Sequence, residues 1–131
     1  MPFPVSAERV LLAESELGRS MPQELRERLM RENGGEVTAV PIREDEQADF
    51  DPYWELHPVW DDSDRKRAGR SANHIVSESK EARAWPHFPE GAVPVASNGT
   101  GDRLILLPAS DEIVFWTHEG GATVKVHVYW D

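Results

Sequence analysis

The sequence predicts an α+β fold: a mostly antiparallel β-sheet with an N-terminal helical hairpin and a further helix packed on it. Three observations carry that prediction. Apolar residues recur every three or four positions through the first thirty or so residues, as on a helix face; β-rich runs separated by glycine turns fill the chain from Val93 onward; and no internal repeat or low-complexity tract divides it. At 131 residues the chain is expected to form one domain over 1–131, a size that buries roughly two thirds of the surface exposed when unfolded.

The elements follow in order. Ser6 is placed to cap a first helix whose Val10, Ala13 and Leu17 share one face, and Gly18 is placed to stop it. Ser20-Met21-Pro22-Gln23 has the form of a capping box, with proline in the first turn where its missing N–H costs nothing. Met21, Leu25 and Leu29 then repeat every four residues, and Asn33-Gly34-Gly35 is expected to close this second helix in a left-handed cap. Both stripes read as ordinary core.

Val37 to Ile42 reads as a short strand, and Pro41, which cannot donate to a ladder, puts it at a sheet edge or marks its end. From Glu44 to Asp64, charge repulsion and two prolines oppose a continuous element, leaving loops around a strand within Trp54 to Trp60. Arg65 to Arg70 reads as a basic linker. A third helix is expected from Ser71 or Ala72 to about Ala84, ended by Pro86 and Pro89.

Val93 to Ala96 and Leu104 to Leu107 flank Asn98-Gly99-Thr100-Gly101, where glycine supplies the positive φ of a tight reversal. Four consecutive large aliphatics from Leu104 lack alternation, so both faces of that strand are expected to be covered. Ile113 to His118 and Thr123 to Trp130 form a hairpin around Glu119-Gly120-Gly121-Ala122, with Val124, Val126, Val128 and Trp130 on the core side.

Charge is unevenly placed. The net charge is −10, and Glu44 to Asp64 contributes −9 of it: nine acids with no Lys or Arg. Phosphate contacts need a basic surface, and only Arg65-Lys66-Arg67 and Arg70 cluster, so nucleic acid is not an expected partner and a basic protein is. Zero cysteines rule out disulfides and thiolate chemistry and fit a reducing compartment. The opening MPFPVSAERV has prolines where an export signal would be basic, and no apolar run approaches the ~18 residues of a membrane span, so a cytoplasmic protein is expected.

Catalytic readings find little support. Gly99-x-Gly101-Asp102 runs into a strand, whereas a phosphate-cradling loop opens onto a helix; Asp102 is better placed to accept backbone hydrogen bonds. The five histidines show no paired spacing on one helix face, and no serine lies in a Gly-x-Ser-x-Gly elbow. Carboxylates are plentiful, but acid–base pairs need burial and rigid placement. No catalytic residue, metal ligand or cofactor is nominated.

The acidic, aromatic segment is the candidate site: Glu44, Asp45, Glu46, Asp49, Asp51, Tyr53, Trp54, Asp61, Asp62 and Asp64 are expected to bind a partner. Carboxylates steer a basic protein inward, and Tyr and Trp anchor interfaces. The aromatics admit a second reading, as core beneath a solvated loop.

Specific residues also carry a family likeness. Leu17-Gly18-x-x-Met21-Pro22, Leu25, Leu29 and Asn33-Gly34-Gly35, followed by Phe88-Pro89-Glu90-Gly91-Ala92-Val93-Pro94-Val95-Ala96 and Asn98-Gly99-x-Gly101-Asp102, resemble the motifs of the SUKH superfamily. That superfamily takes in fungal cell-wall-assembly regulators and many bacterial immunity proteins. The resemblance implies a protein-binding, non-catalytic module, in bacteria a cytoplasmic antidote to a nuclease or deaminase toxin. The alternative is a regulatory scaffold with a non-toxin partner. The terminal strand departs from the helix with which compared members commonly end.

Overall fold

The computed structural model describes residues 3–130. Helices α1 (Ala7–Leu17) and α2 (Gln23–Arg31) lead into strand β1 (Glu36–Pro41); β2 (Tyr53–Leu56), α3 (Arg65–Arg70) and α4 (Ile75–Ala82) follow, then β3 (Val93–Ser97), β4 (Arg103–Leu106), β5 (Ile113–Trp116) and β6 (Thr123–Tyr129). This is the predicted α+β class. All strand pairs are antiparallel, and the hydrogen-bonded order β1 through β6 closes on itself, because β1 pairs with β2 on one side and β6 on the other.

Closure decides between the two readings of Pro41. Its Pro41 ends the strand opposite Val126, where the next donor, the N–H of Ile42, reaches the Lys125 carbonyl at 3.0 Å. β1 is therefore an inner strand, and its proline marks an end rather than an edge. The terminal element is a strand, as its alternation predicted, with Val126 buried and Thr123, Lys125, His127 and Tyr129 exposed.

The helices form where their caps allow. Ser6 accepts the Arg9 N–H at 3.3 Å, and Gly18 (φ 79°) lets its own N–H return to the Glu14 carbonyl. The capping box does not form: Pro22 is the N-cap of α2 and makes no side-chain cap bond. Glu14, reaching across from α1, takes the Met21 N–H instead and lies 3.3 Å from the Arg26 guanidinium. The carboxylate that organises the entry to α2 thus comes from α1 and not from a local cap. Arg65–Arg70 is a helix and not a linker, because Asp64 caps it by accepting the Arg67 N–H at 2.8 Å and pairs with the Arg67 guanidinium.

One core cluster joins the helical stripes to the inner face of the sheet: Val10, Ala13, Met21, Leu25 and Leu29 meet Val37, Trp54, Leu104 and Leu106. Ile105 points the other way, into a smaller cluster with Ala92, Val114 and Trp116, covered by Phe88 and Leu107. Both faces of β4 are covered, as its unbroken aliphatic run implied. The turn after β5 is held by Asp102, whose Oδ1 accepts the His118 N–H at 3.1 Å and lies 2.7 Å from its Nδ1. At Gly121 (φ 79°) a Cβ would stand 2.5 Å from the His87 Cβ, so the last hairpin can close on that segment only with glycine there.

Asn33-Gly34-Gly35 does other work than capping. α2 ends at Arg31 with Glu32 extended, and buried Asn33 turns its amide onto the segment after β2, donating to the Val59 carbonyl at 2.8 Å and accepting the Val59 N–H at 2.7 Å. Asn33→Ala strands both groups, each worth about 1–3 kcal/mol when left unsatisfied, so urea unfolding should show a loss of about 2–4 kcal/mol. Asn33→Asp keeps one acceptor and should fall between variant and parent.

Candidate partner-binding face

The register of β1 builds an uncovered outer surface. Thr38 lies opposite Tyr53 of β2 and, on its other side, opposite Tyr129 of β6, placing Tyr53, Thr38 and Tyr129 in one row across three strands. Tyr53 is 58% exposed and Tyr129 51%. Val40, one position further out on the same side of β1, faces His127, whose ring meets that of Tyr129 edge-on at 4.5 Å.

The connection from β1 to β2 hangs the first group of acids beside this row. Glu44, Asp45 and Glu46 form a single 3-10 turn. Arg43 pairs with Asp45 at 2.8 Å and lies 3.9 Å from Glu46. Glu44 and Asp49 have no ion-pair partner among the described residues, and Asp51 accepts the Tyr53 N–H at 3.0 Å. The loop is pinned from beneath: Phe50 packs edge-on against Phe115 at 5.2 Å and lies 6.2 Å from Trp54, while Gln47 donates to the Pro41 carbonyl. Apolar side chains go in and carboxylates stay out.

The aromatics of the segment divide along the strand alternation. Trp54 is 1% exposed and belongs to the core, so it supports the face from below rather than touching a partner. Tyr53, its neighbour, is the exposed member. The structure also separates Asp61, Asp62 and Asp64 from the first group. They lie between β2 and α3 and are matched within the chain: Asp61 is buried, 3.6 Å from Arg9 and 3.9 Å from Arg67, Asp62 pairs with Arg9 at 2.7 Å, and Asp64 caps α3. Hydrogen bonds from the Arg67 backbone N–H and guanidinium hold the Asp64 carboxyl below its ordinary range.

Sequence reasoning left out the groove on the other side of Tyr53. An open depression of about 740 Å³ is lined by Glu36, Tyr53, Glu55, His57, Glu78 and Asn98, among others. Glu36 and Glu55 face each other across β1 and β2. Alternation from Val37 and Trp54 points both outward, but only the register reveals that they oppose. Among the described residues no group of three or more His, Cys, Asp or Glu could hold a metal ion, and no helix is long and apolar enough to cross a membrane.

His57 is 6% exposed, and burial, with the Arg103 charge adding to it, pushes its pKa down from 6.5 to about 4. The unfolded chain therefore takes up this proton first as pH falls, so the stabilisation present above pH 6.5 drains away down to about pH 4. Between pH 7 and 4.5, chemical unfolding should show this histidine costing about 2–3 kcal/mol. His57→Gln should remove that part of the pH dependence; an unchanged slope would mean that His57 charges freely in the folded protein.

Comparison with known proteins agrees with this architecture. The family profile SMI1 / KNR4 (SUKH-1) matches residues 4–130, the terminal strand included. No curated protein and no solved structure matches the chain. The family is in general one of immunity and regulatory modules. With the match running from the residue before Val5 to the end of β6, the chain belongs to the SMI1/KNR4 family (SUKH-1).

Proposed function

We propose that the protein is a non-catalytic binding module, a cytoplasmic immunity protein that neutralises a cognate toxin domain of the nuclease or deaminase class by covering it. The observation that carries this reading is the juxtaposition at the start of β2: exposed carboxylates, of which Glu44 and Asp49 have no ion-pair partner among the described residues, beside a tyrosine more than half exposed on a sheet face. Enzymes that act on nucleic acids present basic clefts to phosphates. An acidic loop is complementary to such a cleft, and steering of this kind raises association rates by about 10–10³-fold.

The proposed division of labour follows the structure. Glu44, Asp45, Glu46, Asp49 and Asp51 act during approach, and Tyr53 acts after contact by burying its ring. Trp54 contributes by fixing the strand. Asp61, Asp62 and Asp64 contribute least in this reading, because Arg9 and Arg67 already offset much of their charge.

Changing the five loop acids to their amides should slow association with the toxin domain at least about tenfold at low salt. The fold should survive, because the amide in place of the Asp51 carboxylate keeps an oxygen that can accept the Tyr53 N–H, and the Arg43–Asp45 pair is solvent-exposed, worth about 0–1 kcal/mol. Tyr53→Ala should instead speed dissociation. Stopped-flow kinetics at two ionic strengths separates the two effects, and unchanged association at low salt would refute the electrostatic role. Co-expression distinguishes an antidote from a regulatory scaffold: growth is rescued from the toxin encoded beside it only in the first case.

A further inference from the structure

We propose that the groove between β2, α4 and the β3–β4 turn receives one cationic side chain, an arginine or lysine of the protein partner, between Glu36 and Glu55. The inference rests on the reading of the adjoining sheet face as a partner surface and names the group it recognises.

The first argument is an unrelieved repulsion. Glu36 and Glu55 are directly opposed in the β1–β2 register, both exposed, and neither carboxylate has a cation or hydrogen-bond donor among the described residues. Like charges at such a pair destabilise a sheet. Arg28 is nearby but donates to the backbone carbonyl of Glu36, at 3.4 Å, and to that of Glu32. Arg70, which also lines the groove, lies over the Phe3 ring at 5.2 Å from its centroid. A cation from outside would relieve what the fold does not.

The second argument is independent of the two acids. His57 follows Glu55 by two residues and lines the same groove; it is more than nine-tenths buried, and its Nε2 has no hydrogen-bond partner. Buried polar atoms without partners are uncommon; among the described residues five side-chain atoms stand so, and His57 Nε2 is the acceptor among them on a residue lining the groove. Desolvation keeps this imidazole neutral at pH 7, so it can accept an N–H from a guanidinium or ammonium and does not repel the charge. Glu78 also lines the groove, its carboxyl raised above the usual range by burial and by Glu81.

The third argument fixes the kind of cation. A metal ion does not fit, since no three potential ligands converge among the described residues. A groove of about 740 Å³ with an exposed tyrosine at its rim suits an extended organic cation, whose stem packs on the ring while its head reaches the carboxylates.

The test is a titration of ¹⁵N-labelled protein with the tripeptide acetyl-Gly-Arg-Gly-amide, with the uncharged citrulline isostere and spermine as controls. Amide shifts should concentrate at Gly34, Gly35, residues 55–57 and Asn98, and the His57 ring nitrogens should move. The citrulline peptide should bind at least tenfold more weakly. Glu55→Gln should weaken arginine-peptide binding at least tenfold and yet raise the Tm of the free protein, because it removes the opposed charge. The five-amide loop variant should bind the tripeptide within about threefold of the parent. Should that loop variant lose binding while Glu55→Gln keeps it, the groove assignment is overturned and the acidic-loop reading stands. Equal affinity for the citrulline peptide also overturns it, and tighter binding of spermine at the same residues overturns the assignment to a side chain. Groove binding together with unaltered toxin association in the loop variant would leave the groove and remove the loop.

Discussion

The structure depends on β1 being hydrogen-bonded along both sides. A strand of six residues from the N-terminal third is the joint at which β2 and β6 meet, and without it the sheet would have two open edges. Its inner side chains, Val37 and Ala39, reach the core that takes in α1 and α2, while its outer positions, Glu36, Thr38 and Val40, carry the exposed face. Because side chains alternate with period two, a slip of one residue would bury Glu36 and expose Val37. The pairing that completes the barrel thus also decides which groups face outward.

Positioning of β1 is in turn delegated to polar side chains near its start. Arg28, buried at the end of α2, donates to the carbonyls that bracket the helix-to-strand passage, and Asn33 clasps Val59 with two hydrogen bonds. The Arg28 contacts are local and the Asn33 pair spans 26 positions, and both count most where the partner groups are dry. They explain why a glycine-rich passage that looks like a helix stop is held so closely.

Local signals were legible at several positions where a residue acts on its neighbours. Ser6, Gly18, the Met21–Leu25–Leu29 stripe, the aliphatic run at Leu104 and the alternation of β6 each predict what they form. Reasoning fell short where a distant group intervened, as when Glu14 reaches from α1 to the Met21 N–H just before α2 and β6 makes β1 an inner strand, and it passed over one local signal, the Asp64 cap of Arg65–Arg70. The acidic segment shows the same division. Its composition marks it as unusual, and its alternation separates Tyr53 from Trp54. Composition cannot reveal that Arg9 and Arg67 reach Asp61, Asp62 and Asp64 from other elements, or that Glu36, 19 positions earlier, stands opposite Glu55.

That opposition bears on why the face is built as it is. Sequences that fold well agree across levels, and the places where a local rule is broken without compensation mark work other than folding. Three buried or half-buried carboxylates elsewhere are matched within the chain: Glu14 by Arg26, Asp61 by Arg9 and Arg67, and Asp102 by the His118 N–H. Glu36 and Glu55 stand in a regular antiparallel pair, where a cation opposite either would be an ordinary stabilising choice. Beside them lies an unpartnered buried imidazole, and beyond Tyr53 a loop of acids anchored from below by Phe50. On the proposed reading, one partner would supply both the cation that Glu36 and Glu55 lack and the group that His57 Nε2 lacks.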